Sequence, residues 1–216
     1  MSAADGFFAR WWINQRANLA MLLKRSEAAM RCYRELLALD PGDEAARSTL
    51  GNLLMETGDA AGAAAEFERL VQINPANAEA WFNLGFVYEQ RDMMGQAERA
   101  FRRAIELQPS IDRAWYGLGL VLIRFGRLRE AVDVLKKNIE LQPFSPYGYY
   151  QLGMTYHHLG EAAEARRIHD KLKGFEPRYA ATLERDMENK TPNHKAGGEP
   201  SSTRPASSRE AIDATQ

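Results

Sequence analysis

The sequence predicts an all-α protein built as a linear array of helix-turn-helix units, on three observations. Prolines recur at a constant step of 34 residues, at Pro41, Pro75, Pro109, Pro143 and Pro177. A Leu-Gly pair recurs at the same step, as Leu50-Gly51, Leu84-Gly85, Leu118-Gly119 and Leu152-Gly153. Between these marks the apolar residues fall three and four apart, which is the spacing of one helical face. Self-similarity at a fixed period of this size marks a stacked array whose units bury their apolar faces against their neighbours.

The clearest unit runs from Ala78 to Ile111. Trp81, Leu84, Gly85 and Tyr88 share one side of a first helix, and Ala97, Phe101 and Ala104 share one side of a second. Gly85 has no side chain, so the second helix can come close enough for Phe101 to fill the gap. Pro109 cannot continue a helix and ends the unit. Trp81, Leu84-Gly85, Tyr88, Ala97, Phe101, Ala104 and Pro109 together match the tetratricopeptide repeat signature, and the segment resembles one repeat of that family. The resemblance implies a right-handed α-solenoid whose first helices line a hollow side, and a role in holding other proteins.

The same register gives five repeats, at 10–43, 44–77, 78–111, 112–145 and 146–179. Trp115 and Tyr149 match Trp81; Ala63, Ala131 and Ala165 match Ala97; Phe67 matches Phe101. In the first repeat Arg16-Ala17 replaces the Leu-Gly pair and Ala20 the tyrosine, while Ala29, Tyr33 and Pro41 keep the second half in register. A terminal repeat tolerates such irregularity because one of its faces is not packed on a neighbour. Arg47 stands where Trp81 would be, and His169 where Phe101 would be, so looser joints are expected there.

Ahead of the repeats, residues 1–9 hold the start of an aromatic cluster, Phe7-Phe8-Ala9-Arg10-Trp11-Trp12-Ile13. It has neither the apolar run nor the cleavage pattern of a secretory signal. Three readings compete for it: a cap over the first repeat, self-association through an apolar patch, or docking on a membrane surface with Arg10 and Arg16. The cap is the plainest. Within the repeats, Gly58-Asp59, Gly126-Arg127 and Gly160-Glu161 join first helix to second, Asp59 can cap the helix it precedes, and Pro146 suits the first turn of a helix. After Pro177 a narrow stripe of Tyr179, Leu183 and Met187 predicts a C-terminal capping helix at 180–190. Residues 191–216 are rich in Ser, Thr, Pro, Ala and Gly and are expected to be disordered.

Composition excludes little but points the same way. Charged residues make up 26%, hydrophobic residues 45%, and the net charge is −1, so nothing calls for nucleic acid or an anionic surface. Cys32 is the sole cysteine and is expected to be a buried structural thiol. No segment is long enough and apolar enough to insert in a bilayer, and a cytoplasmic location is expected. Catalysis finds no nucleophile with its base and no phosphate loop; no metal or other cofactor is expected. His157 and His158 are adjacent on a helix and splayed apart, His169 suits an interior place, and His194 falls in the tail.

Function is therefore sought on the first helices. The face of each that Trp81, Leu84 and Tyr88 do not use carries Phe82, Phe86 and Glu89-Gln90 in the third repeat, Tyr116, Leu120 and Ile123-Arg124 in the fourth, and Tyr150, Met154 and His157-His158 in the fifth, with Asn83, Arg113 and Tyr147 flanking them. One repeat apart these form columns, Phe82–Tyr116–Tyr150 and Phe86–Leu120–Met154, with Asn52 beside them. Such a groove suits an extended peptide or an amphipathic helix of a partner protein; the competing reading is packing between neighbouring first helices. The family's carboxylate clamp needs two Asn and three basic residues, and the matching positions here hold Ser48, Asn52, Asn83, Arg113 and Gly117. With two cations missing, a chaperone-tail clamp is not expected. Glu79 and Glu89 offset the arginines, which argues against single-stranded nucleic acid. The expectation is a non-enzymatic adaptor binding a peptide or helix in the groove of repeats 3–5. The alternatives are a self-assembling module joined through the N-terminal aromatic face, and an accessory subunit of a larger enzyme or membrane-associated complex.

Overall fold

The computed structural model describes residues 3–189, with side chains from Phe7 onward; the tail expected to be disordered, His194 included, lies outside the described residues. Eleven α-helices and no strands occur among the described residues. They are α1 (Ala3–Leu22), α2 (Ser26–Leu39), α3 (Glu44–Glu56), α4 (Ala60–Ile73), α5 (Ala78–Gln90) and α6 (Met94–Leu107), then α7 (Asp112–Arg124), α8 (Leu128–Leu141), α9 (Pro146–His158), α10 (Ala162–Phe175) and α11 (Pro177–Glu188). The chain divides into two compact units, one ending at Leu107 and the other beginning at Gln108.

The turn from first to second helix is built the same way five times. At Lys24, Gly58, Asp92, Gly126 and Gly160 the backbone is left-handed, with φ between 53° at Lys24 and 88° at Gly58. These positions are themselves 34 residues apart. At each, two amides return to the helix they leave; at Gly58, its own N–H reaches the Met55 carbonyl at 3.1 Å and that of Asp59 reaches Leu54 at 2.8 Å. This satisfies carbonyls that the helix end would orphan. Asp59 caps α4 by accepting from the Gly62 amide, and Asp43 and Asn77 cap α3 and α5 in the same manner.

The opposite turns at Pro41, Pro75 and Pro109 are each held by a side chain from the following helix. Trp81 Nε1 donates to the Pro75 carbonyl at 3.0 Å and Trp115 Nε1 to that of Pro109 at 2.9 Å. Arg47, in the tryptophan register, donates through Nη2 to the Pro41 carbonyl at 2.6 Å and through Nη1 to Glu66 at 2.5 Å. It is buried. The substitution that suggested a loose joint keeps the same hydrogen bond and adds an ion pair.

In the second to fifth repeats a glycine on the first helix admits a bulky side chain from a later helix. In the first unit, a Cβ on Gly51 or Gly85 would lie 2.7 Å from the ring of Phe67 or Phe101. In the second unit, Gly119 is filled by Leu135, and Gly153 by Leu183 at the same 2.7 Å. Leu183 belongs to α11, so the last helix supplies the bulk that the fifth repeat lacks with His169 in the phenylalanine register. Ala180 and Leu183 of α11 are buried in a cluster with Leu152, Tyr156, Ile168 and Leu172.

At the other end, α1 runs unbroken through the aromatic cluster into the first repeat. Ile13, Ala17 and Ala20 are its buried residues, and Ile13 and Ala17 pack with Cys32, Leu36 and Ala46. Phe7, Phe8, Trp11 and Trp12 are all exposed. They do not act as the cap that the sequence suggested. A helix presents its residues all round, and the side facing α2 is taken by the small residues three and four apart.

Candidate functional site

The residues expected to form a groove divide between the two units. In the first, Asn52 is exposed on α3, and Asn83 and Phe86 are half-buried on α5. Phe82 is only 3% exposed and packs against Phe101 with ring centroids 6.1 Å apart, so it serves the core. In the second, Arg113, Tyr116 and Leu120 are half-buried on α7, where Arg124 is exposed, and Tyr147, Tyr150, Met154 and His157 are half-buried on α9.

Two of these α9 residues are engaged by α11. The Tyr150 hydroxyl donates to Asp186 Oδ2 at 2.7 Å, and the Tyr147 ring meets Tyr179 edge-on at 5.6 Å. Burial, and then the bond to Asp186, push the Tyr150 hydroxyl well above its ordinary pKa. Tyr116, Tyr150 and Met154 flank the buried cluster of Leu152, Tyr156 and Leu183. Tyr116 and Leu120 on α7 and Met154 and His157 on α9 are each partly exposed.

Two clefts were not foreseen from sequence. One of 520 Å³ in the first unit opens between α4, α5 and α6, with Trp81, Leu84 and Tyr88 on its floor and Glu68, Gln72 and Arg99 on its walls. The Tyr88 hydroxyl donates to Glu68 at 2.8 Å, and burial and that bond raise its pKa to about 12. The other, 280 Å³ in the second unit, lies where α9, α10 and α11 meet, between His157, Arg166, His169, Glu184 and Met187. Its signal was the change of residue at His169, in the phenylalanine register, which leaves the α10 side of the last helix pair without an aromatic filler. Both clefts carry mixed charge.

His158 has its pKa lowered by burial and then by His157, whose ring lies 5.8 Å away. Among the described residues no group of three His, Cys, Asp or Glu side chains is placed to hold a metal, and no helix is long and apolar enough to cross a membrane.

Comparison with known families and structures fits this geometry. Tetratricopeptide-repeat family models match residues 13–43, 88–146 and 134–167, and a TPR repeat model matches 51–91. No curated protein sequence matches. Among solved structures, the crystal structure of MamA protein is 26% identical, covers 80% of this chain and 94% of its own, and superposes with a TM-score of 0.73. MamA from residue 41 of Desulfovibrio magneticus RS-1 is 19% identical, with coverage of 82% and 96% and a TM-score of 0.71. YrrB, described as a TPR protein with an unusual peptide-binding site, is 24% identical, with coverage of 78% and 88% and a TM-score of 0.68. By these matches and its own 34-residue register, the chain belongs to the tetratricopeptide-repeat family, as an all-α solenoid of helix-turn-helix repeats with a C-terminal capping helix.

Proposed function

We propose that this chain is a non-enzymatic adaptor that holds an extended peptide or an amphipathic helix of a partner protein against α7 and α9, the first helices of its fourth and fifth repeats. One observation carries the reading. Tyr116, Leu120 and Met154 remain half-exposed, although their helices bury Leu118, Val121, Leu122 and Leu152 completely or nearly so. Aromatic, leucine and methionine side chains at the partly exposed edge of a core are the material of helix-in-groove and extended-peptide recognition, and methionine adapts to the shape it meets.

Peptides selected from a random library on the full chain test this. They should lose at least about thirtyfold in affinity, roughly 2 kcal/mol, on a Tyr116→Ala/Leu120→Ala/Met154→Ala variant of unchanged helicity. Equal binding to both proteins would remove α7 and α9 as the site.

A further inference from the structure

Helix α1 has two apolar faces, and only one of them is used. Ile13, Ala17 and Ala20 point inward. On the opposite side Phe8, Trp12, Leu19 and Leu22 are 66%, 59%, 56% and 79% exposed, with exposed Gln15 between them. Positions 8, 12, 15, 19 and 22 are alternately four and three apart, which keeps them within about 40° of one line along the helix. This is the spacing of a coiled-coil seam, with exposed Phe7, Trp11 and Leu23 to either side of it.

The seam is also close to a palindrome about Gln15. Turned end for end, it sets Phe8 opposite Leu22 and Trp12 opposite Leu19, each ring meeting a leucine, while Gln15 meets its own counterpart. An interface of identical chains related by a two-fold axis requires this self-complementarity. A polar residue at a single seam position is the usual device for fixing register. The charges agree. From Phe8 to Leu22 the charged residues are Arg10 and Arg16 alone. Arg10 is tied to Asp40 and Asp43 at 3.0 and 2.6 Å, and Arg16 to Glu35 at 3.0 Å. The seam therefore meets its copy without like-charge repulsion, and its cations are already engaged where an anionic bilayer would need them.

We infer that the outer face of α1 binds a second copy of this chain, the two α1 helices packing antiparallel across a two-fold axis at Gln15. The seam is about 20 Å long, at the small end of stable interfaces, so association depends on concentration near the micromolar range.

Sedimentation velocity of the full chain over a hundredfold range of concentration should show a monomer passing to a dimer. Trp12→Glu/Leu19→Glu, both at exposed positions, should stay folded and weaken the dimer by about a hundredfold or more. Register is read by mild oxidation of cysteine variants. Gln15→Cys should cross-link to itself; Phe8→Cys should not, but should cross-link to Leu22→Cys when the two are mixed. The wild type, whose Cys32 is buried, is the control. A wild type that stays monomeric, whether or not it co-sediments with phosphatidylserine vesicles, overturns the inference. So does a dimer that survives the double glutamate variant, or self-cross-linking of Phe8→Cys without that of Gln15→Cys.

Discussion

The two ends of this chain solve the same problem in opposite ways. An array of stacked helix pairs always finishes on a face with no further pair to cover it. At the C-terminal end α11 covers that face: Leu183 fills the space at Gly153, Ala180 is buried beside it, Asp186 accepts from Tyr150 and Tyr179 meets Tyr147. At the N-terminal end α1 packs inward through Ile13, Ala17 and Ala20 and turns phenylalanine, tryptophan and leucine outward. Exposed apolar surface here is therefore not a defect of repeat stacking, since among the described residues α11 closes the other end without a comparable stripe. Surface of this kind marks an interaction site.

Substitutions at the two ends should separate them, from large effects to small. Leu183→Ala removes the side chain that fills Gly153 and should destabilise the second unit by about 3 kcal/mol, read from urea unfolding. Tyr150→Phe deletes one hydrogen bond to a charged acceptor and should cost about 1.5 kcal/mol at neutral pH. That difference should shrink in alkali. The folded Tyr150 pKa is raised above the ordinary 10.0, so its stabilisation is complete below pH 10.0 and is lost as pH rises toward and through the folded value. Melting temperatures of both proteins above pH 10 measure this.

At the N-terminal end Lys24→Gly should stabilise by about 1 kcal/mol, because a left-handed backbone strains any residue with a Cβ. Trp12→Ala should change the stability of the monomer by less than about 0.5 kcal/mol despite the size of the ring, since the ring touches little of its own chain. A cost near that of Leu183→Ala would mean that α1 is packed like α11, and the contrast would fail.

Much of this was legible from residue spacing. The proline and Leu-Gly periods located the helix pairs, and the absence of a side chain at Gly85 already implied the close approach of Phe101. The left-handed turns at Lys24 and Asp92 were legible in principle, one 34-residue step from Gly58, but the residues there do not advertise the conformation. Arg47 in the tryptophan position suggests a looser joint by its departure from the pattern alone, and that departure does not show which bond the position makes. The turn needs a donor for the Pro41 carbonyl, and a guanidinium supplies one as well as an indole.

The site was less legible, because facing inward is not the same as being available. Phe82, Tyr116 and Tyr150 occupy equivalent positions, yet Phe82 is consumed by Phe101 and the Tyr150 hydroxyl by Asp186. The helix packed next to each position decides its exposure, and a column of equivalent positions does not carry that information.

The most direct test of the contrast between the ends is hydrogen exchange of the full chain at two concentrations, with α1 and α11 read in the same experiment. If one end is closed by the chain itself and the other by a second copy, α11 amides exchange slowly and equally at both concentrations, while α1 amides gain protection as concentration rises. Rapid exchange in α11, or protection of α1 that ignores concentration, would contradict the account.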